Sequence, residues 1–240
     1  MTLPRRAVIA ITSYNEVFYP DGKKAGLFWS EALHPYNVLL EAGFEVDVAS
    51  ETGKFGYDEN SIQGPKLDPE SKKAWEDPNN ALKQQLENQM LVASEVDPSK
   101  YGIFFAAGGH GADHDFPTAS GLHKLAAQIY NNGGVVSAVC HGPAVMPGII
   151  DAKTNEPIIK GKKVTGFTEK AEKEIGALEV MNKKGIQTIE QLLTAVGGKW
   201  IEPPHPWEDF TQTDGRIVTG VNPASSKSTA ENAIKVFKSS

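Results

Sequence analysis

Short, β-rich apolar runs recur along this chain, and the stretches between them are long enough to be helices. RRAVIAIT (5–12), FEVDVAS (44–50), YGIFFAA (101–107), VVSAV (135–139), GKKVTGF (161–167) and GRIVTGV (215–221) each read as a strand bounded by polar or glycine-containing segments. Residues 30–43, 80–94, 120–134, 188–196 and 226–238 read as helices. Gly43 suits the end of the first, Pro35 is expected to kink it or delay its start, and serines are expected to cap the last. Such alternation predicts an α/β fold: a mostly parallel sheet with helices on both faces. Ligands in such sheets bind at the carboxyl ends of strands. Cys140 stands at one such end and the loop GGHG (108–111) at another.

A chain of 240 residues is compatible with one such unit, and a single domain over residues 1–240 is expected. Residues 51–99 are more polar and too poor in apolar residues for a core of their own, so they read as an insertion or lid. The net charge of −6 and the lack of a basic cluster argue against a nucleic-acid partner. No stretch approaches the ~20 apolar residues that span a bilayer, so no membrane partner is expected. The first apolar run, residues 7–11, is too short for a signal-peptide core. A cytoplasmic location is the expectation, with the nucleus open as a second compartment. A single cysteine excludes an intramolecular disulfide.

That cysteine carries most of the chemical information. A lone free cysteine is often a small buried hydrophobe. Here it ends a strand, within AVCHGPA (138–144), and the next residue is a histidine. Ala138 and Gly142 occupy the two small-residue positions of a nucleophile elbow, in which a tight strand-to-helix turn holds the nucleophile strained and exposed. A following helix would aim free N–H groups at the sulfur and favour the thiolate. His141 supplies a neighbouring base or cation, and GGHG offers backbone N–H groups to an oxyanion. His110, Asp113 and His114 invite a metal reading, but histidines four apart have little force in a glycine-rich loop, and no metal is expected. GGHG also lacks the spacing of a dinucleotide fingerprint or a P-loop. On their own, Glu31, Glu169 and Glu172 read as solvated helix acids, and His34 and His123 as packing or surface residues.

AVCHGPA with AAGGHG upstream resembles the ThiJ/PfpI superfamily. ITSYNEVFYPDGKKAG, EALHPYN, SETGKFGYDENS, GGVVSAVCHGP, VTGFTEKAE and DGRIVTGVNPAS narrow the resemblance to its fungal glyoxalase III and heat-shock chaperone branch, over residues 6–237. The match is weakest over residues 62–99. The resemblance implies a flavodoxin-like sheet, related to class I glutamine amidotransferases, and a homodimer. It implies no cofactor, and the conversion of methylglyoxal and water to D-lactate without glutathione, with glyoxal as a second 2-oxoaldehyde. It makes Cys140 the nucleophile, His141 the adjacent histidine, Glu172 the acid that orients it, and Glu31 the acid that hydrogen-bonds the sulfur. Gly109 and His141 would supply the oxyanion N–H groups.

The mechanism expected is a Cys140 hemithioacetal followed by an enediol. The proton would be moved by His141 oriented by Glu172, or by Glu31. The alternative is a stress-response holdase chaperone or protein deglycase in which Cys140 serves as a redox sensor, since an exposed thiol of low pKa is the one that oxidises. An amidotransferase would need an ammonia-accepting partner, which this chain does not offer.

Overall fold

The computed structural model describes residues 3–63 and 67–239. Of the 51–99 segment, residues 64–66 lie outside the described residues.

The chain begins with β1 (Arg6–Ile11), α1 (Trp29–Glu41) and β2 (Glu45–Ser50). Then come α2 (Pro69–Glu76), α3 (Ala81–Asn88), β3 (Leu91–Val92), β4 (Ile103–Ala106), the short α4 (Ala112–Asp115), α5 (Ser120–Asn131) and β5 (Val135–Val139). Two short strands follow, β6 (Ile150–Asp151) and β7 (Glu156–Pro157), then β8 (Lys163–Val164), α6 (Glu169–Glu174), α7 (Ala177–Lys184), α8 (Ile189–Ala195) and β9 (Lys199–Trp200). The chain closes with β10 (Thr211–Asp214), β11 (Ile217–Gly220) and α9 (Ser226–Lys238).

Seven strands form the central sheet in the order β10-β11-β5-β4-β1-β2-β3. Only the β10–β11 pair is antiparallel. From β1 the chain steps to β2 on one side, and from β4 it steps to β5 on the other. Right-handed crossovers therefore put α1 and α5 on opposite faces. The mostly parallel sheet expected from the alternation, and the flavodoxin-like architecture implied by the resemblance, are observed. Strands β1, β4 and β5 are buried on both faces, which is why they read as continuous apolar runs. The order reverses between β1 and β4, and the carboxyl ends of strands beside such a reversal form a crevice.

Several sequence expectations need correction. Helix α1 starts at Trp29, so of the two effects expected of Pro35 the later start is the one that fails, and the proline lies inside the helix. The buried side chains Trp29, Leu33, Tyr36 and Leu39 hold the helix to the core despite the hydrogen bond that proline removes. The helix expected over 80–94 stops at Asn88. Leu91 and Val92 instead pair with Ala49 and Ser50, because the open edge of β2 accepts their backbone groups. Of the strand expected over 161–167, only Lys163–Val164 forms, and it pairs with β9 outside the central sheet. Polar α2 and β10 carry too weak an apolar pattern to be expected. Ser225 makes no side-chain cap on α9. Its hydroxyl donates to Asn222, whose side chain caps the preceding 3-10 turn.

A second small core of Phe18, Ala25, Ala177 and Met181 ties the loop between β1 and α1 to α7. This loop brings Tyr19 over the carboxyl ends of β4 and β5, beside His110, a placement that no sequence feature indicates. No described helix is long and apolar enough to cross a membrane.

Candidate active site

Cys140 follows β5 with φ at +61°, a left-handed conformation that costs a non-glycine residue on the order of 1–2 kcal/mol. Two backbone bonds hold it there: its N–H donates to Gly220 (3.0 Å), and its carbonyl accepts from Phe167 (2.9 Å). This is the strained elbow that Ala138 and Gly142 suggested. Two expectations about it fail. The segment after it is a 3-10 turn, Gly142–Gly148, so no regular α-helix N-terminus is aimed at the sulfur. Cys140 is also only 3% exposed. Burial pushes its thiol pKa up, and the nearby carboxyls of Glu31, Glu172 and Asp113 add to the rise. In the resting protein the sulfur is a thiol.

Its proton has an acceptor. His141 Nδ1 lies 3.2 Å from Cys140 Sγ, and His141 Nε2 lies 2.7 Å from Glu172 Oε1. Burial and the neighbouring His110 lower the His141 pKa to about 4, against the pull of Glu172. The ring is neutral near pH 7. With Nε2–H donating to Glu172, Nδ1 presents a lone pair to the thiol. Burial alone would raise Glu172, but His110 and His141 hold it well below the usual carboxylate range. Thr168 caps α6 by accepting from Ala171 N–H, which fixes the first turn and turns Glu172 inward. Glu169, on the same helix, is exposed, so the choice between the two acids is decided by helix phase.

Glu31 enters from α1 and is fully buried. Burial raises its pKa to about 8. The Cys140 thiol and the Gly108 amide, the donors that face it, pull the other way, yet neither carboxylate oxygen closes a hydrogen bond of ordinary geometry. Near pH 7, Glu31 carries its own proton and acts as a neutral acid beside the sulfur. Gly108 must be glycine: a Cβ there would collide with the Glu31 carboxyl and with the backbone of Val139 and His141. Gly109, with φ at +104°, is similarly pressed against the backbone of Gly26 and Phe28. Among the described residues, neither the Gly109 nor the His141 N–H makes a backbone hydrogen bond. The structure therefore brings together all the residues singled out in the sequence: Cys140, His141, Glu172, Glu31 and Gly109.

It also adds residues that the sequence did not single out for this site. His110 Nε2 lies 3.0 Å from Glu172 Oε2, and His110 Nδ1 lies 2.9 Å from the Tyr19 hydroxyl, which donates to Asp58 Oδ2 at 2.7 Å. Asp113 is buried with its Oδ2 3.6 Å from His141 Nε2. Burial, then Glu172 and Asp115, push its pKa well up. The possible metal ligands that cluster are His110, His141 and Glu172. His114 instead stacks on Tyr14 at 3.8 Å. His110 and Asp113 carried an earlier signal, in the metal reading of the loop after β4; Tyr19 and Asp58 had none. A cavity of about 630 Å³ opens onto Cys140, His141, Gly109 and His110, walled by Tyr19, Phe28, Phe167 and Trp207. Among the described residues of the 51–99 segment, Asn60 lines it.

A doubly wound α/β sheet with a buried Cys–His–Glu relay on a strand-end elbow defines a class of cysteine-centred proteins. Comparison with known proteins places the chain within it. The DJ-1/PfpI family pattern matches residues 29–235, and the chain belongs to that family. It is similar to Glyoxalase 3 of Candida albicans, with 48% identity covering 97% of this chain and 98% of the relative. It is also similar to a Saccharomyces cerevisiae protein named glutathione-independent glyoxalase HSP31, with 45% identity covering 98% and 99%. The crystal structure of glyoxalase III from Candida albicans superposes with a TM-score of 0.94 over 98% of each chain, at 48% identity.

Proposed function

We propose that this protein is a glutathione-independent glyoxalase that converts methylglyoxal and water to D-lactate. The carrying observation is the relay from Cys140 Sγ through His141 to Glu172, at 3.2 and 2.7 Å, at the floor of a cavity large enough for a small 2-oxoaldehyde. The names of relatives covering nearly the whole chain support the same reading.

Cys140 passes its proton to His141 Nδ1 as sulfur attacks the aldehyde carbon. The imidazolium is stabilised by the Glu172 carboxylate. The new oxyanion rests against the N–H groups of Gly109 and His141 and takes a proton, closing the hemithioacetal. His141, neutral again, removes hydrogen from the former aldehyde carbon to give an enediol. Glu31, protonated near pH 7, gives its proton to the neighbouring carbonyl oxygen; the His141 imidazolium then protonates the neighbouring carbon while the hydroxyl on the former aldehyde carbon returns a proton to the Glu31 carboxylate, leaving a lactoyl thioester. Water then releases lactate and restores the thiol. One carbon is oxidised and its neighbour reduced, so the balance needs neither glutathione nor a nicotinamide.

The redox-sensor alternative calls for an exposed thiol of low pKa. Cys140 is buried with a raised pKa, which favours the enzyme. The homodimer expectation rests on the family resemblance, and size-exclusion chromatography with light scattering checks it. We further infer that segment 51–99 serves chiefly to cover the β2 edge, with Asn60 as its part in the cavity wall. Incubation of purified protein with methylglyoxal alone, with D-lactate assayed enzymatically, tests the function. Absence of lactate from folded, reduced protein would refute it.

A further inference from the structure

Glu172 is the meeting point of two imidazoles. Oε1 faces His141 Nε2 at 2.7 Å and Oε2 faces His110 Nε2 at 3.0 Å, and the ring centroids are 4.1 Å apart. One coordinating atom from each of the three residues lies within 4.8 Å of the other two, and all three residues are buried. Beside them sits a carboxyl with no role in the relay. Both oxygens of Asp113 are buried without a hydrogen-bond partner among the described residues, and Oδ2 is 3.6 Å from His141 Nε2. Burying a carboxyl without a partner is costly, and a cation at this edge would offset that cost.

We propose that His110, His141 and Glu172, with Asp113 at the rim, form a binding site for a zinc-class divalent metal ion, and that metal bound there switches the enzyme off. Two imidazole nitrogens and carboxylate oxygens are borderline donors that suit zinc better than magnesium or calcium. Zinc–ligand bonds of about 2.0–2.2 Å place tetrahedral ligand atoms roughly 3.4 Å apart, so the two hydrogen-bonded contacts need open by only about half an ångström. His110 is already backed in the manner of a metal ligand: its Nδ1 meets the Tyr19 hydroxyl, which donates to Asp58. Both histidines line the cavity, so an ion arrives by the substrate's route.

The switch follows from the tautomer. Metal on His141 Nε2 occupies the lone pair there, so the ring's single proton, exchanged through water, resides on Nδ1. That nitrogen then points a proton at Cys140 Sγ and cannot accept one. The inhibition rests on the reading of His141 as acceptor of the thiol proton; the binding does not.

Zinc is titrated calorimetrically into the Cys140→Ala protein, which lacks the thiol as a rival ligand. One ion per chain at micromolar affinity or tighter is expected, with at least a tenfold loss in the Cys140→Ala/His110→Ala and Cys140→Ala/Glu172→Gln proteins. Cobalt(II) in the Cys140→Ala protein should give visible d–d bands of low coordination number without a sulfur charge-transfer band. One equivalent of zinc should abolish wild-type turnover, and EDTA should restore it. Loss of tight binding in Cys140→Ala would make the thiol the ligand and overturn the site, as would unchanged affinity without His110. Tight binding in Cys140→Ala with undiminished wild-type turnover would overturn the switch and the assigned role of His141, while lactate production itself stood.

Discussion

His141 Nδ1 lies 3.2 Å from the sulfur of Cys140, the residue that precedes it in the chain. Adjacent side chains on an extended strand point to opposite faces. These two meet because Cys140 adopts φ of +61° and ends the strand, so the backbone turns between them. The strain of the elbow is thus what creates the relay.

The first prediction concerns the sulfur. Cys140→Ala should leave the fold intact, since it shortens a small buried side chain, and should lower lactate production below roughly one thousandth of wild type. Enzymatic D-lactate assay beside circular dichroism checks both. Turnover near the wild-type level would remove Cys140 from the chemistry.

The second concerns the charge behind the base. Glu172→Gln keeps the shape but not the negative charge that stabilises the His141 imidazolium. kcat should fall by about 10²–10⁴, with KM changing far less. Steady-state kinetics in methylglyoxal separate the two constants, and a pure KM effect would mean that Glu172 binds substrate instead.

The third is the pH profile of kcat/KM. His141 must be neutral, so activity should rise as pH passes about 4. Glu31 must be protonated, so activity should fall as pH passes about 8. Glu31→Gln should lose the upper limb. An unchanged upper limb in that variant would assign it to another group.

The fourth is a linkage effect on stability. The Glu31 carboxyl has its pKa raised from 4.5 to about 8 in the folded protein. The folded state therefore holds a proton that the unfolded chain has released between those values. The stabilisation is full below about pH 4.5 and is lost as pH rises through about 8. Glu31→Gln lacks that slope. The Tm of the variant minus that of wild type should increase by several degrees between pH 5 and pH 9, read by thermal melts. A flat difference would mean that Glu31 titrates normally.

The parallel core and the elbow with a cysteine at its turn were legible in the chain alone. Runs such as VVSAV can be satisfied only inside a sheet covered on both faces, and Cys140 with Ala138 and Gly142 is a local pattern whose geometry is set by adjacent residues. The acids were legible only through family resemblance, because Glu31 and Glu172 look like any helix-surface glutamate until helix phase and packing bury them. Tertiary structure alone decided that Glu31 keeps a proton and that Cys140 is a buried thiol rather than an exposed thiolate, because both follow from desolvation by distant segments. It also decided that Tyr19, Asp58 and His110 converge behind Glu172. These residues are separated by tens of positions in the chain, and only the packing of the N-terminal loop against α7 and the reversal of strand order beside β4 bring them within hydrogen-bonding distance.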